Sequence, residues 1–199
     1  MKKMTAYMLV GGFLLFAVAS AFVTPPKTLK VDVKSTTMEW KAKKVTGSHN
    51  GFVSVSAGQI VLDGVNVTSG TFDIDMSSMT VEDIKDEGSN KKLLGHLQSD
   101  DFFSTAKHPT SKFVLTSVSQ KSGKTYTVNG NLTIKDITKA ISFPAEITIS
   151  GNTLKAVAAI KVDRTLFDIR YRSTNFFENL GDKAIYDDFE LNLNLVASL

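Results

Sequence analysis

Apolar and polar residues alternate along most of this chain. Phe189, Leu191, Leu193 and Leu195 are separated by Glu190, Asn192 and Asn194. Ile141, Phe143, Ala145, Ile147 and Ile149 follow the same rhythm, as do Phe72, Ile74 and Met76, and Leu132 with Ile134. A period of two puts alternate side chains on opposite faces of a sheet. Val53 with Val55, and Ile60 with Leu62, repeat the pattern on either side of a turn expected at Ala57-Gly58. Further turn signals stand at Asp63-Gly64, Ser69-Gly70, Ser122-Gly123 and Ser150-Gly151-Asn152,. Asn129-Gly130 reads either as a turn or as a bend inside one long strand. Pro144 interrupts an alternating run and is expected at a sheet edge or bulge. Such spacing predicts an antiparallel sandwich or barrel. One stretch departs from it. Thr80-Val81-Glu82-Asp83 has the form of a capping box, and Leu93, Leu94 and Leu97 fall on one helical face,. One or two short helices are therefore expected between residues 80 and 100.

The first residues belong to a different regime. Lys2 and Lys3 precede an uncharged run that lasts until Lys27, and Ala19-Ser20-Ala21 fits a small-residue cleavage site. This reads as a secretory signal peptide over residues 1–21. A retained transmembrane anchor is the competing reading, because residues 4–23 are about long enough to span a bilayer. Thr24-Pro25-Pro26-Lys27 disfavours a helix, so residues 22–27 read as a linker and 28–199 as the domain. The expected location is the periplasm or the exterior after cleavage near Ala21, with no integral span left. The cut would remove two lysines and leave a net charge of +1. That balance does not suggest a nucleic-acid surface.

The chain has no cysteine. A disulfide framework, a thiolate metal site, a cysteine nucleophile and a cysteine-anchored lipoprotein are thereby excluded. Neither a dinucleotide fingerprint nor a phosphate loop occurs. His49, His96 and His108 match no metal-binding spacing, and no G-x-S-x-G elbow presents a serine. The sequence thus points to no cofactor, no metal and no catalytic residue.

All three arginines fall within nine residues: Arg164, Arg170 and Arg172. A guanidinium fork suits an anionic headgroup, but it equally suits internal pairing with Asp163, Asp168 or the acids of residues 182–190. The internal pairing is favoured. Trp40, the sole tryptophan, is either a core residue or part of an apolar ligand wall, and the core is favoured,.

Five segments follow one another along the domain. Trp40-Lys41 is followed by Gly47-Ser48-His49-Asn50-Gly51, which reads as a turn, and then by Gly70-Thr71-Phe72-Asp73-Ile74-Asp75-Met76. Leu94-Gly95-His96-Leu97, Asp100-Asp101-Phe102-Phe103 and His108-Pro109 with Phe113 come next. Gly130-Asn131-Leu132-Thr133-Ile134 through Thr138-Lys139, and Asp163-Arg164-Thr165 with Phe167 and Ile169, complete the set. In this order they resemble the signatures of the YceI-like family of exported lipid-binding proteins, the stretch from Leu94 to Phe113 being the most specific. Asp136 and Asp168 depart from those signatures, each standing where glycine is common.

The resemblance implies an all-β fold, a lipocalin-like antiparallel barrel of about eight strands. It also implies non-enzymatic binding, transport or sequestration of a long-chain amphiphile, such as an isoprenoid quinone or prenyl lipid. Such a carrier needs an apolar tunnel and a few polar groups at its mouth. Candidate lumen residues are Trp40, Phe52, Phe72, Phe113, Phe143, Ala158 and Phe167; headgroup candidates are His49, Arg164 and Arg170. Two alternatives stay open: an enzyme on such a lipid with His49 or His96 as acid–base, and a ligand-free interaction module. The oligomeric state is open as well, a homodimer included.

Overall fold

The computed structural model describes residues 25–199. The expected signal peptide and the first half of the expected linker lie outside them. The strands are β1 (Lys27–Val31), β2 (Thr37–Lys44), β3 (Gly47–Phe52), β4 (Ser54–Asp63) and β5 (Asn66–Asp75). After the helix α1 (Glu87–Gln98) come β6 (Thr110–Ser122), β7 (Thr125–Ile134), β8 (Ile137–Ser150), β9 (Thr153–Asp163) and β10 (Ile185–Ser198). Single 3-10 turns occupy Met76–Ser78, Arg164–Phe167 and Gly181–Lys183.

Every strand pairing is antiparallel, and two staves of the wall are interrupted. β1 and β2 both lie against β10, with Lys30 opposite Ser198 and Leu191 opposite Trp40. β4 pairs with β1, and β3 pairs with β2. Taken as β1/β2 and β3/β4, these segments and the six remaining strands form a closed barrel of eight staves,.

The alternating residues of the sequence all turn to the interior. Phe143, Ala145 and Ile147 of β8, Ile60 and Leu62 of β4, and Phe189 and Leu195 of β10 are buried. The intervening positions face outward. One end of the barrel closes through tight hairpins at Gly64, Gly123 and Gly151, each with positive φ. The other end carries the β2–β3 and β7–β8 turns and two long segments, residues 76–109 and 164–184. We call it the lid end. There residues 80–82 run beside β3, with Thr80 N–H donating to Phe52 O and Glu82 N–H donating to Asn50 O.

Several expectations need correction. Ala57-Gly58 is not a turn: β4 runs through it, and the register shifts by a bulge between Val55 and Ala57,. Ser69-Gly70 and Asn129-Gly130 lie inside strands, the latter as the bend reading had it. Gly47 to Gly51 are strand β3, so His49 stands on a strand and the turn precedes it. Asp83 does not cap the helix. Asp86 does, accepting from Ser89 N–H, while Asp83 accepts from Asn50 N–H. Lys27, expected in the linker, opens β1. Pro144 sits within β8 opposite Thr127, just before Ala145 begins the pairing with β9. Its missing N–H therefore removes no bond from that ladder. Asp136 and Asp168 both adopt left-handed backbone, φ 60° and 57°. Aspartate tolerates that conformation where most side chains resist it.

Candidate functional site in the barrel lumen

Inside the staves lie two apolar cavities of about 110 and 100 Å³. The first fills the middle and the hairpin end. Its wall is wholly hydrophobic and includes Phe72, Phe113, Phe143, Ala158 and Leu193. The second lies under the lid end, between Trp40, Met76, Met79, Leu97, Phe102 and Phe103. Met38, Ile74, Leu132 and Leu191 line both. Ser111, Arg164, Tyr186 and Asp188 border the second cavity, yet its surface is almost as apolar as that of the first.

Sequence chemistry explains how the lid is held. Asp86 caps α1, and Asn90 donates through Nδ2 to Val81 O and Ile84 O, fixing the approach to the helix. Leu97, Phe102 and Phe103 then point into the lumen. The His96 ring meets Phe102 and Tyr171 edge-on, with centroids 4.9 and 4.7 Å apart. This joins the lid helix to residues 164–184. Trp40 Nε1–H donates to Thr80 O at 3.0 Å, so its buried polar atom is satisfied while the ring lines the wall,. Trp40 is thus both core residue and cavity wall.

The lumen candidates divide. Trp40, Phe72, Phe113, Phe143 and Ala158 line the cavities. Phe52 does not: it is 45% exposed, because its neighbours Gly51 and Val53 take the inward positions. Phe167 lies on a 3-10 turn rather than a strand. It is fully buried as a packing residue and touches neither cavity. Missed were Met38, Met76 and Met79. The i, i+2 spacing of Met38 and Trp40 on β2 was the available signal, since it places both on one face.

The headgroup candidates all stand at the lid end, each beside an acid. Arg164 is 4% exposed. Its Nε donates to Tyr186 O, Nη1 to Ile169 O at 2.7 Å, and Nη2 to Ile185 O, with Asp187 Oδ1 at 3.3 Å. Burial pulls its pKa down, opposed by Asp187 and Asp163. With its donors so committed, Arg164 is a clamp between two chain segments and not a free donor at a mouth. Arg170 is half-exposed, 2.9 Å from Asp168 Oδ1 and stacked over Phe176. His49 Nδ1 lies 2.8 Å from Asp83 Oδ2. Burial raises the pKa of that carboxyl, but the hydrogen bonds from Asn50 and His49 prevail and hold it below the usual range. His96 and His108 pair likewise with Asp101 and Asp136. None of the three histidines lines either cavity.

Comparison with known proteins places this geometry. The family described as the YceI-like domain matches residues 29–197. A UPF0312 protein of Shewanella denitrificans is 28% identical over 154 residues, covering 76% of each chain. One from Photorhabdus laumondii is 43% identical over 98 residues, 49% of this chain and 50% of that one. Among solved structures, Burkholderia cenocepacia BcnA superposes with a TM-score of 0.66 at 21% identity. That match covers 84% of this chain and 99% of the other. A structure described as a polyisoprenoid binding domain from Saccharophagus degradans gives 0.60 at 10% identity, covering 85% and 97%. A Campylobacter jejuni YceI protein gives 0.55 at 20% identity, covering 98% and 99%. These solved structures share the fold.

Proposed function

The chain belongs to the YceI-like domain family, and from that premise we propose that it binds a long-chain amphiphile in its barrel. The ligand is a polyisoprenoid, such as a prenyl lipid or isoprenoid quinone. The protein carries or sequesters it outside the cytoplasm after export, and does not transform it. The observation that carries this reading is the apolar character of the lumen: two adjoining cavities almost free of polar surface, one toward the hairpin end and one under the lid end. An apolar tail fits both, and a polar head falls to the rim of the lid end.

Burial of the tail supplies the affinity, at about 25 cal/mol per Å² of apolar surface removed from water. Head recognition falls to groups at the lid end, with Arg170 and His49 the outer candidates. The cavities are smaller than the roughly 300–1,000 Å³ of ordinary ligand sites. Binding therefore requires wall side chains to shift, and methionines at positions 38, 76 and 79 suit such a wall because their unbranched chains repack readily,. The Saccharophagus domain's description as polyisoprenoid-binding supports the choice of ligand class.

The test is uptake by delipidated protein. Isoprenoid, quinone and fatty-acyl probes at micromolar concentration are titrated against a displaced fluorescent lipid. Preferential uptake of the isoprenoids supports the reading, and uptake of none removes it.

A further inference from the structure

Four residues line both cavities, and they come from facing parts of the wall. Met38 on β2 and Leu191 on β10 lie on adjoining staves; Ile74 on β5 and Leu132 on β7 stand elsewhere around the ring. They form a waist between the cavities. A tail short enough for one cavity does not pass through it. A tail that occupies both must pass between these four side chains. Packed interiors yield little when every side chain is branched and held in its rotamer. Leu191, Ile74 and Leu132 are branched. Met38 is not: it has three rotatable bonds and a polarisable sulfur. Its backbone is fixed, because β2 is paired on both sides, Met38 standing opposite Leu193 of β10 while its carbonyl accepts from Val53 N–H. The side chain can therefore swing without strain on the strand that carries it.

We propose that Met38 sets the length of apolar chain the lumen admits, by opening or closing the waist between the two cavities. This rests on the lipid-binding reading above and assigns the residue that makes it length-selective.

The experiment compares farnesol, a short prenyl alcohol, with solanesol, a long one. Both are delivered to delipidated full-length mature protein, and binding is read by native mass spectrometry. Fluorescence of Trp40, the only tryptophan, reports on the lid-end cavity. Met38→Phe puts a bulky, stiff ring at the waist. It is expected to weaken solanesol about tenfold or more relative to farnesol, and to leave the barrel's circular dichroism close to wild type. Met38→Ala, which cannot overfill the site, is expected to shift the ratio the other way. An unchanged solanesol-to-farnesol ratio in both variants overturns the role of Met38 while leaving lipid binding intact. Binding of neither alcohol by the wild type removes the lipid reading itself, and the waist with it. If Met38→Phe does not fold, the direction of the Met38→Ala shift decides.

Discussion

The Phe113 ring of β6 lies directly over Gly130 of β7: a Cβ built on that glycine would come within 2.2 Å of the ring. The pair explains why a glycine stands inside a long strand, where it would otherwise weaken pairing. It also seats the ring in the hairpin-end cavity, against Phe72 and Phe143 at centroid distances of 6.1 and 5.7 Å.

Gly130→Ala should therefore displace Phe113 and destabilise the barrel. Overpacking of this kind costs about 1–3 kcal/mol. In a domain of this size each kcal/mol lowers the melting temperature by about 2–4 °C. Differential scanning calorimetry checks it. A melting temperature equal to wild type would mean that the ring relocates freely and does not shape the cavity.

The two arginines should separate cleanly. Arg164→Ala removes the buried donor that three backbone carbonyls and Asp187 share, and breaking a buried charged network costs about 3–5 kcal/mol,. Arg164→Lys should not rescue it, since an ammonium lacks the planar fork that reaches all of them. Arg170→Ala, at a half-exposed ion pair, should change stability by no more than about 1 kcal/mol,. If Arg170 meets an anionic head, the same change should weaken an acidic lipid and leave a neutral isoprenoid unaffected. Denaturant titration and lipid displacement measure the two effects.

Acid should loosen the lid. Besides Asp83, whose hydrogen bonds outweigh its burial, Asp86 and Asp100 are held below the ordinary range. Asp86 is lowered by its bonds from Ser89, and Asp100 by those from Lys107 and Ser104. A carboxylate with a depressed folded-state pKa stabilises above its unfolded value, about 3.9, and loses that stabilisation as pH falls through the folded value. The melting-temperature gap between wild type and Asp83→Asn should be present at pH 6 and shrink steadily below about pH 4. A gap independent of pH would contradict the role given to that carboxylate.

The barrel was legible because period two and the lumen face coincide. Phe72, Ile74, Leu132 and the alternating runs of β8 and β10 are both the sequence pattern and the inner wall. The inward Val53 and Val55 already require Phe52 to point out, a conflict that aromatic size alone concealed. Positions off the strands were less legible. Phe167 and Arg164 sit on a 3-10 turn whose cap is Asp163, and no periodicity says which way such a turn folds. The partners of Arg164 are mostly backbone carbonyls from other segments, which leave no mark in side-chain composition. The bulge in β4 was misread for a related reason: Ala57-Gly58 carries turn chemistry, but Gly58 is there because Val31 and Phe72 close over it.

Ala158 is 6% exposed and lines the hairpin-end cavity, opposite Ala145 on one neighbouring strand and Leu193 on the other. Ala158→Trp should fill a cavity of about 110 Å³ and abolish uptake of long prenyl chains,. Ala158→Leu should give a graded loss. Retained β-sheet circular dichroism separates a blocked lumen from an unfolded one, and full uptake by a folded Ala158→Trp protein would place the tail elsewhere.

A prenyl amphiphile held in the lumen should survive purification and be recovered by extraction. The protein is purified from its native host without detergent, its bound lipid is extracted into organic solvent, and the extract is identified by mass spectrometry. The account predicts one dominant isoprenoid species in near-stoichiometric amount, absent from extracts of Ala158→Trp. An extract without isoprenoid, from protein that also refuses prenyl probes after delipidation, would contradict it.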